Sequence, residues 1–229
     1  MSAYSRTWYR VFGAAVPEQQ TAREVAFLGR ALPLPDFRRV LDVPCGFGRH
    51  AAALTALGYD VTGVELDADV AGQARRRAPK AEIVVGDMRA LPPLGLFDVA
   101  VCLWASFGYW DDATNAEVLA QLAARVRPDG RLVLDVFDRA FFEPRQGVRE
   151  REVRGTRVVE RHRVHDRRLH VELEYGGSDD RDAFEWRLYS PDELATLAPG
   201  LRLLLACSDW DERAAPDGSR PRYQLVLER

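Results

Sequence analysis

A chain of 229 residues with 47% hydrophobic and 29% charged content can bury one substantial core, so folding needs neither disulfides nor a structural metal. A net charge of −3 withholds the global positive field that gathers nucleic-acid phosphates, and no apolar run approaches the ~20 residues that span a bilayer. Cys45, Cys102 and Cys207 lie far apart, without the paired spacing of a zinc site, and read as reduced, buried thiols. The stretch Met1–Tyr9 lacks the apolar centre of a signal peptide. The expectation is a cytoplasmic protein with no membrane, nucleic-acid or metal partner.

In chain order, residues 17–32 place Ala22, Val25, Leu28 and Leu32 at three- and four-residue steps, which predicts an amphipathic helix ended by Pro33 to Asp36. An apolar strand from Val40 runs into the turn Pro44-Cys45-Gly46-Phe47-Gly48, and a helix from Arg49 to Leu57 closes at Gly58, a suitable residue just past a helix end. A second strand from Val61 ends at Glu65, and Asp67 caps the next helix, which runs through Arg75 to Arg77. The third strand, Glu82–Val85, leads into Gly86-Asp87-Met88-Arg89, and the fourth, Phe97–Leu103, into the aromatic segment Trp104–Trp110. A helix over Asp112–Arg125, a turn at Pro128-Asp129-Gly130 and a strand over Arg131–Val136 follow. Such alternation implies a parallel sheet with helices on both faces and ligands at the carboxyl ends of the strands.

Between Gly147 and Tyr189 the helical period gives way to alternation: Leu169, Val171, Leu173 and Tyr175 against Arg168, His170, Glu172 and Glu174. With Arg157–Val164 before it and Phe184, Trp186 and Leu188 after it, this predicts a three-stranded antiparallel insertion. Its turns are Asp166-Arg167 and Gly176–Asp180, and its apolar side either roofs the main sheet or meets a second subunit. Ser190-Pro191-Asp192-Glu193 is a capping box that starts the last helix. Leu201–Cys207 and Tyr223–Leu227, joined by Ala215–Ser219, read as a closing hairpin.

The glycine-paired turn and the acid at Glu65 have the spacing of a ribose-binding unit, about 20 residues from glycines to carboxylate. Gly46 and Gly48 permit a tight turn and close backbone approach to a ligand, Glu65 is placed to accept from ribose hydroxyls, and Asp87 from an adenine amino group. Asp42 and Asp87 have a bland reading as turn caps; Glu65 has little other reason to end an apolar strand.

The run Asp42-Val43-Pro44-Cys45-Gly46-Phe47-Gly48-Arg49-His50 resembles a variant first motif of the class I S-adenosylmethionine-dependent methyltransferases, with Pro44 where the usual pattern has its first glycine. The likeness extends over nearly the whole chain and is nearest to bacterial small-molecule enzymes with a β-rich insertion. It implies an α/β, Rossmann-like, doubly wound, seven-stranded, mostly parallel sheet with an antiparallel last strand and a β-rich insertion after strand five. It implies one domain over 1–229, with an N-terminal cap over 1–32 and the insertion over 147–189 as lid or dimer contact. The activity implied is in-line methyl transfer from S-adenosylmethionine to a small-molecule acceptor, with S-adenosylhomocysteine as product, no metal, and a monomer or homodimer.

Carried over residue by residue, the resemblance gives a cofactor set. Pro44, Cys45 and Gly46 meet the methionyl amine by backbone, with Asp42 and Gly48 in the supporting loop, and Leu103 offers a carbonyl. Glu65 holds the ribose, Leu66 packs on the adenine, Asp87 and Met88 read its edge, and Tyr9 folds over the cofactor. Trp104, Ser106 and Tyr109 face the acceptor. No catalytic residue is singled out: His162, His165 and His170 are expected to be solvent-facing partners of carboxylates. Two other readings stand beside this one, an NAD(P)-dependent Rossmann oxidoreductase and a non-catalytic S-adenosylmethionine-binding protein. Against the first, Lys80 is the sole lysine, so the tyrosine-lysine pair of short-chain dehydrogenases cannot form. The acceptor, and whether oxygen, nitrogen or carbon takes the methyl, is not legible.

Overall fold

The computed structural model describes residues 4–13, 16–198 and 200–229; residues 1–3 and 14–15 of the expected N-terminal cap lie outside these. A helical turn α1 (Arg6–Trp8), capped by the Ser5 hydroxyl, continues as a π-helical turn over Tyr9–Gly13. Then come α2 (Glu18–Ala31), β1 (Arg39–Asp42), α3 (Arg49–Ala56), β2 (Asp60–Glu65), α4 (Ala68–Arg77), β3 (Glu82–Val85) and β4 (Phe97–Cys102). The chain continues through α5 (Asp112–Ala124), β5 (Val126–Phe137), α6 (Arg139–Phe142), β6 (Gly147–Val153), β7 (Thr156–His165), β8 (Arg168–Tyr175) and β9 (Arg181–Arg187), and ends with α7 (Pro191–Leu197), β10 (Arg202–Ser208) and β11 (Arg222–Glu228).

The main sheet has seven strands in the order β10-β11-β5-β4-β1-β2-β3. Strands β1 to β5 pair in parallel, and β11 lies antiparallel between β5 and β10. Val40, Val61, Val99 and Val133 pack under α2, α3 and α4 on one face, while Leu41, Val64, Leu132 and Leu134 pack with α5 and α7 on the other. Strands buried on both faces carry apolar side chains almost continuously, as parallel sheets require. The chain order turns outward in both directions from β1 and β4, so the carboxyl ends of these strands open a crevice between diverging crossovers.

Two expectations need correction. The turn expected at Pro128-Asp129-Gly130 lies inside β5: Phe97 pairs with Val126 and Val99 with Arg131, so residues 127–130 bulge out of a strand that continues. The insertion has four strands, in the order β6-β7-β8-β9. The added strand β6 is an exposed edge, and its run Arg149-Glu150-Arg151-Glu152 carries charge on both faces, which deters pairing with another chain and leaves no alternation to read.

Gly48 is buried at a φ of +73°, and a Cβ there would stand 3.1 Å from the Ala74 backbone. Gly46, at +52°, has nothing within 4 Å of such a Cβ. Gly48→Ala is therefore expected to cost about 2 kcal/mol or more in urea unfolding, from conformational strain plus overpacking. Gly46→Ala is expected to cost about 1 kcal/mol; equal losses would contradict this.

Candidate functional site

A cavity of about 800 Å³ opens at the carboxyl ends of β1 to β4 and runs under the insertion sheet. Of the residues expected around it, Tyr9, Pro44, Cys45, Gly46, Glu65, Leu66, Asp87, Met88, Leu103, Trp104, Ser106 and Tyr109 line its wall. Asp42 and Gly48 do not. Gly48 serves the packing of α3 on α4, as above, rather than approach to a ligand, and Asp42 is buried beneath the loop with Oδ2 unpaired. Burial pushes the Asp42 carboxyl up to about 7, against the opposing pull of Arg49.

Glu65 ties the loops together. Its Oε2 accepts from the Gly46 N–H at 3.0 Å and its Oε1 from the Asp67 N–H at 3.1 Å, so one carboxylate fixes both the turn after β1 and the turn after β2. Burial still raises it above the usual carboxylate range, because its backbone donors, Leu66 among them, recover only part of the lost hydration. Asp67 then caps α4 through Oδ1, taking the N–H groups of Asp69 and Val70. Asp87 holds its own turn by accepting from the Arg89 N–H at 2.8 Å, and the Arg89 guanidinium lies across both its oxygens, which keeps it below the usual range.

Behind the loop lies a charge network that sequence reading missed. Glu24, on the buried face of α2, is fully buried and takes hydrogen bonds from Arg49, from His50 Nε2 at 2.8 Å and from Trp104 Nε1 at 2.9 Å. The Arg49 and Arg222 guanidinium groups sit over the Trp104 ring at 4.5 and 4.7 Å. Trp104 thus reaches the cavity wall with a ring already committed to this clamp. Trp104 and Ala105 hold left-handed φ values of 61° and 52°, a strain of roughly 1–3 kcal/mol each. It is over-determined by neighbours: Asp135 Oδ2 accepts from the Trp104 N–H, the Asp135 carbonyl from the Ala105 N–H, and the Ala105 carbonyl from Trp186 Nε1. A charged residue among the apolar positions of α2 was the one available signal.

The far half of the cavity is aromatic. Leu169, Val171 and Leu173 of β8 and Phe184 and Trp186 of β9 turn the apolar side of the insertion onto it. Phe137 and Phe142 close one side, and Tyr4 and Trp8 the other. The N-terminal turn is fastened to the insertion: buried Asp182 accepts from the Ser5 N–H, the Ser5 hydroxyl and the Tyr175 hydroxyl at 2.9, 2.6 and 2.6 Å. The Tyr4 and Tyr109 hydroxyls pair at 3.0 Å. His165 and His170 are partly exposed beside Asp166 and Glu185, but His162 is buried in the roof, 8% exposed, with Nε2 at 3.5 Å from Glu160. His162 and His165 lie three residues apart on β7 and so point to opposite faces, a signal that the alternation of the strand carried. Among the described residues no cluster of three or more His, Cys, Asp or Glu is arranged to hold a metal ion, and no helix is long and apolar enough to cross a membrane.

Residues 40–130 match the family described as a methyltransferase domain. A dTDP-3-amino-3,6-dideoxy-alpha-D-glucopyranose N,N-dimethyltransferase of Streptomyces fradiae is 36% identical over 102 residues, 44% of this chain and 40% of that one. A dTDP-3-amino-3,4,6-trideoxy-alpha-D-glucopyranose N,N-dimethyltransferase of Streptomyces venezuelae is 32% identical over 50% of this chain and 48% of its own length. The chain thus spans less than half the length of these curated relatives. Across the whole fold, an S-adenosylmethionine-dependent methyltransferase from Clostridium acetobutylicum superposes with a TM-score of 0.80 at 13% identity, covering 97% of this chain and 96% of that one. The S-adenosylmethionine-bound amino pentose methyltransferase CalS10 from Micromonospora echinaspora gives 0.68 at 23%, covering 100% and 99%. Residues 40–130 thus match a methyltransferase domain, and the whole chain shares the fold of these solved methyltransferase structures.

Burial pulls His50 down to about 4, against the upward pull of its hydrogen bond to Glu24. The folded state therefore keeps His50 neutral where an unfolded chain would protonate it. Its contribution to stability is complete above about pH 6.5 and is lost as pH falls from there through about 4. Between pH 7 and 4.5 the wild type is expected to lose about 2 kcal/mol more unfolding free energy than His50→Gln, measured by urea titration; identical losses would refute the assignment.

Proposed function

We propose that the protein binds S-adenosylmethionine at the carboxyl ends of β1 to β4 and transfers its methyl group to a small-molecule acceptor in the aromatic chamber. The observation that carries this is the convergence of the Gly46 loop, Glu65 and Asp87 on one cavity that continues directly into a second, apolar compartment. The residues fit the cofactor. The space over Gly46 is open, and a buried carboxylate oxygen of Asp42 lies unpaired beneath the loop, where a cation above would compensate it.

When bound, S-adenosylmethionine supplies a methyl group already activated on a sulfonium. The chain's part is alignment and exclusion of water. Glu65 has lone pairs left beyond its backbone donors for the ribose hydroxyls, Leu66 packs on the adenine, the Met88 backbone amide meets its ring edge, and Asp87 accepts from its amino group beside Arg89. Pro44, Cys45 and Leu103 offer backbone to the methionyl end, and Tyr9 closes over it. Ser106 and Tyr109 face the acceptor. Holding the acceptor atom in line is worth roughly 7–11 kcal/mol in effective molarity, and the roof removes the water that would otherwise solvate it. We read the insertion as a lid: its apolar side is spent on the cavity within one chain, which favours this over a subunit contact. The relatives named as amino-sugar N,N-dimethyltransferases support a small-molecule acceptor.

The test is incubation with methyl-labelled S-adenosylmethionine and a small-molecule amine, alcohol and thiol panel, with calorimetry of S-adenosylhomocysteine binding. Glu65→Ala removes the ribose acceptor and should weaken that binding about 30-fold or more; an unchanged Kd would sink the site assignment. The buried Asp42 carboxyl, at about 7, should drop when a cation reaches the loop above it, so binding near pH 7 should release a proton. Calorimetry in buffers of different ionisation enthalpy reads this directly, and the release should vanish in Asp42→Asn; proton uptake in the wild type would contradict it.

A further inference from the structure

The chamber beyond the cofactor edge is a belt of rings. Between centroids, Tyr4 meets Phe184 at 5.1 Å, Phe184 meets Trp186 at 5.6 Å, Trp186 meets Tyr109 at 5.2 Å and Phe137 at 5.0 Å, and Phe137 meets Phe142 at 5.1 Å. Ring faces carry partial negative charge and attract a cation that has left water. The formal charges nearby point the same way. Arg49, Arg77 and Arg151 reach the wall, the first and last paired with Glu24 and Glu160, and the carboxylates of Glu65, Asp67, Asp87 and Glu160 reach it too. Glu65 and Asp182 act together on Tyr4 and Tyr9 and add to the effect of burial in raising both hydroxyls, Tyr9 to about 12.

The same wall is poor in proton acceptors. Burial raises Tyr4, Tyr9 and Tyr109 and the thiol of Cys45, so these groups keep their protons near neutrality. His50 gives Nε2 to Glu24, and His162 turns Nε2 toward Glu160 while its Nδ1 is buried without a hydrogen-bond partner. Glu160 itself is held by Arg151, and Glu65 and Asp87 by the donors described above. Among the described residues of the wall, the side-chain acceptors are protonated, paired or buried, so an alcohol acceptor, which must lose a proton as it is methylated, is poorly served.

We propose that the acceptor is an organic amine, which enters the ring belt uncharged with its own lone pair and leaves as an ammonium held against the ring faces. This rests on the methyl-transfer reading above. The acceptor nitrogen forms the new N–C bond with its lone pair as the S–C bond breaks and its electron pair stays on sulfur. The positive charge passes from sulfur to nitrogen. For a primary or secondary amine, one N–H proton goes to water afterwards. The chamber therefore holds one positive charge at every stage. Protonation of the amine before transfer would place a second cation beside the sulfonium in a dry site, which desolvation and like-charge repulsion both disfavour.

The test uses benzyltrimethylammonium, which has no lone pair and cannot react, and its uncharged isostere neopentylbenzene. Binding of each is followed by tryptophan fluorescence in protein saturated with S-adenosylhomocysteine or with S-adenosylmethionine. In the S-adenosylhomocysteine form the cation is expected to bind about tenfold more tightly than the isostere. Replacing that ligand by the sulfonium should weaken the cation several-fold and leave the isostere unchanged, and Phe184→Leu should weaken the cation more than the isostere. Equal or tighter binding of the isostere, no measurable binding of the cation, or a cation affinity indifferent to the sulfonium overturns the proposal; these wild-type measurements need no variant to fold. Calorimetry of S-adenosylhomocysteine on the same sample separates the two readings. If it does not bind, methyl transfer fails; if it binds and the cation has no preference, only the amine assignment falls.

Discussion

One carboxylate organises the strand-end edge of the cavity. Glu65 ends β2 and accepts a backbone N–H from the loop after β1 and another from the turn that starts α4. Parallel strands place these loops side by side, but loops alone do not hold ångström geometry; a shared acceptor does. The position is costly, since burial lifts Glu65 above its ordinary range despite its backbone donors. That residual cost is the physical reason to expect further donors there, and ribose hydroxyls are such donors.

A second layer holds the first from behind. Buried Glu24 draws together Arg49 and His50 of α3 with the indole of Trp104, and Asp135 braces the left-handed pair Trp104 and Ala105 from β5. Removing one member of such a network leaves a buried charge uncompensated, which costs more than the intact network contributes. The network therefore fixes where the chain goes after β4, and with it the entrance to the aromatic chamber. The insertion acts from the other side. Its apolar face and the N-terminal turn, joined through Asp182, complete a compartment in which ring faces replace water.

Much of this was legible in the chain because it follows from period and spacing. Gly46, Glu65 and Asp87 converge since each lies just beyond a strand of one parallel sheet, and the capping box at Ser190 forms both of its reciprocal hydrogen bonds. What escaped reading depends on facing and on neighbours distant in sequence. Strand β6 alternates nothing because both its sides meet water. Gly48 looked like a ligand-approach glycine until Ala74 of α4 stood against it. His162 lies three residues from His165 on β7, so one is buried and the other exposed. Glu24 reads as a surface acid in a helix, and only the fold brings an arginine, a neutral histidine and an indole to it.

The most direct measurement is a crystal structure with S-adenosylhomocysteine bound. The account predicts both ribose hydroxyls within hydrogen-bond distance of Glu65, the adenine packed on Leu66 with its ring edge at the Met88 backbone and its amino group at Asp87, and the sulfur directed at the ring belt. Density for the ligand elsewhere, or an adenosyl group whose ribose lies away from Glu65, would contradict it.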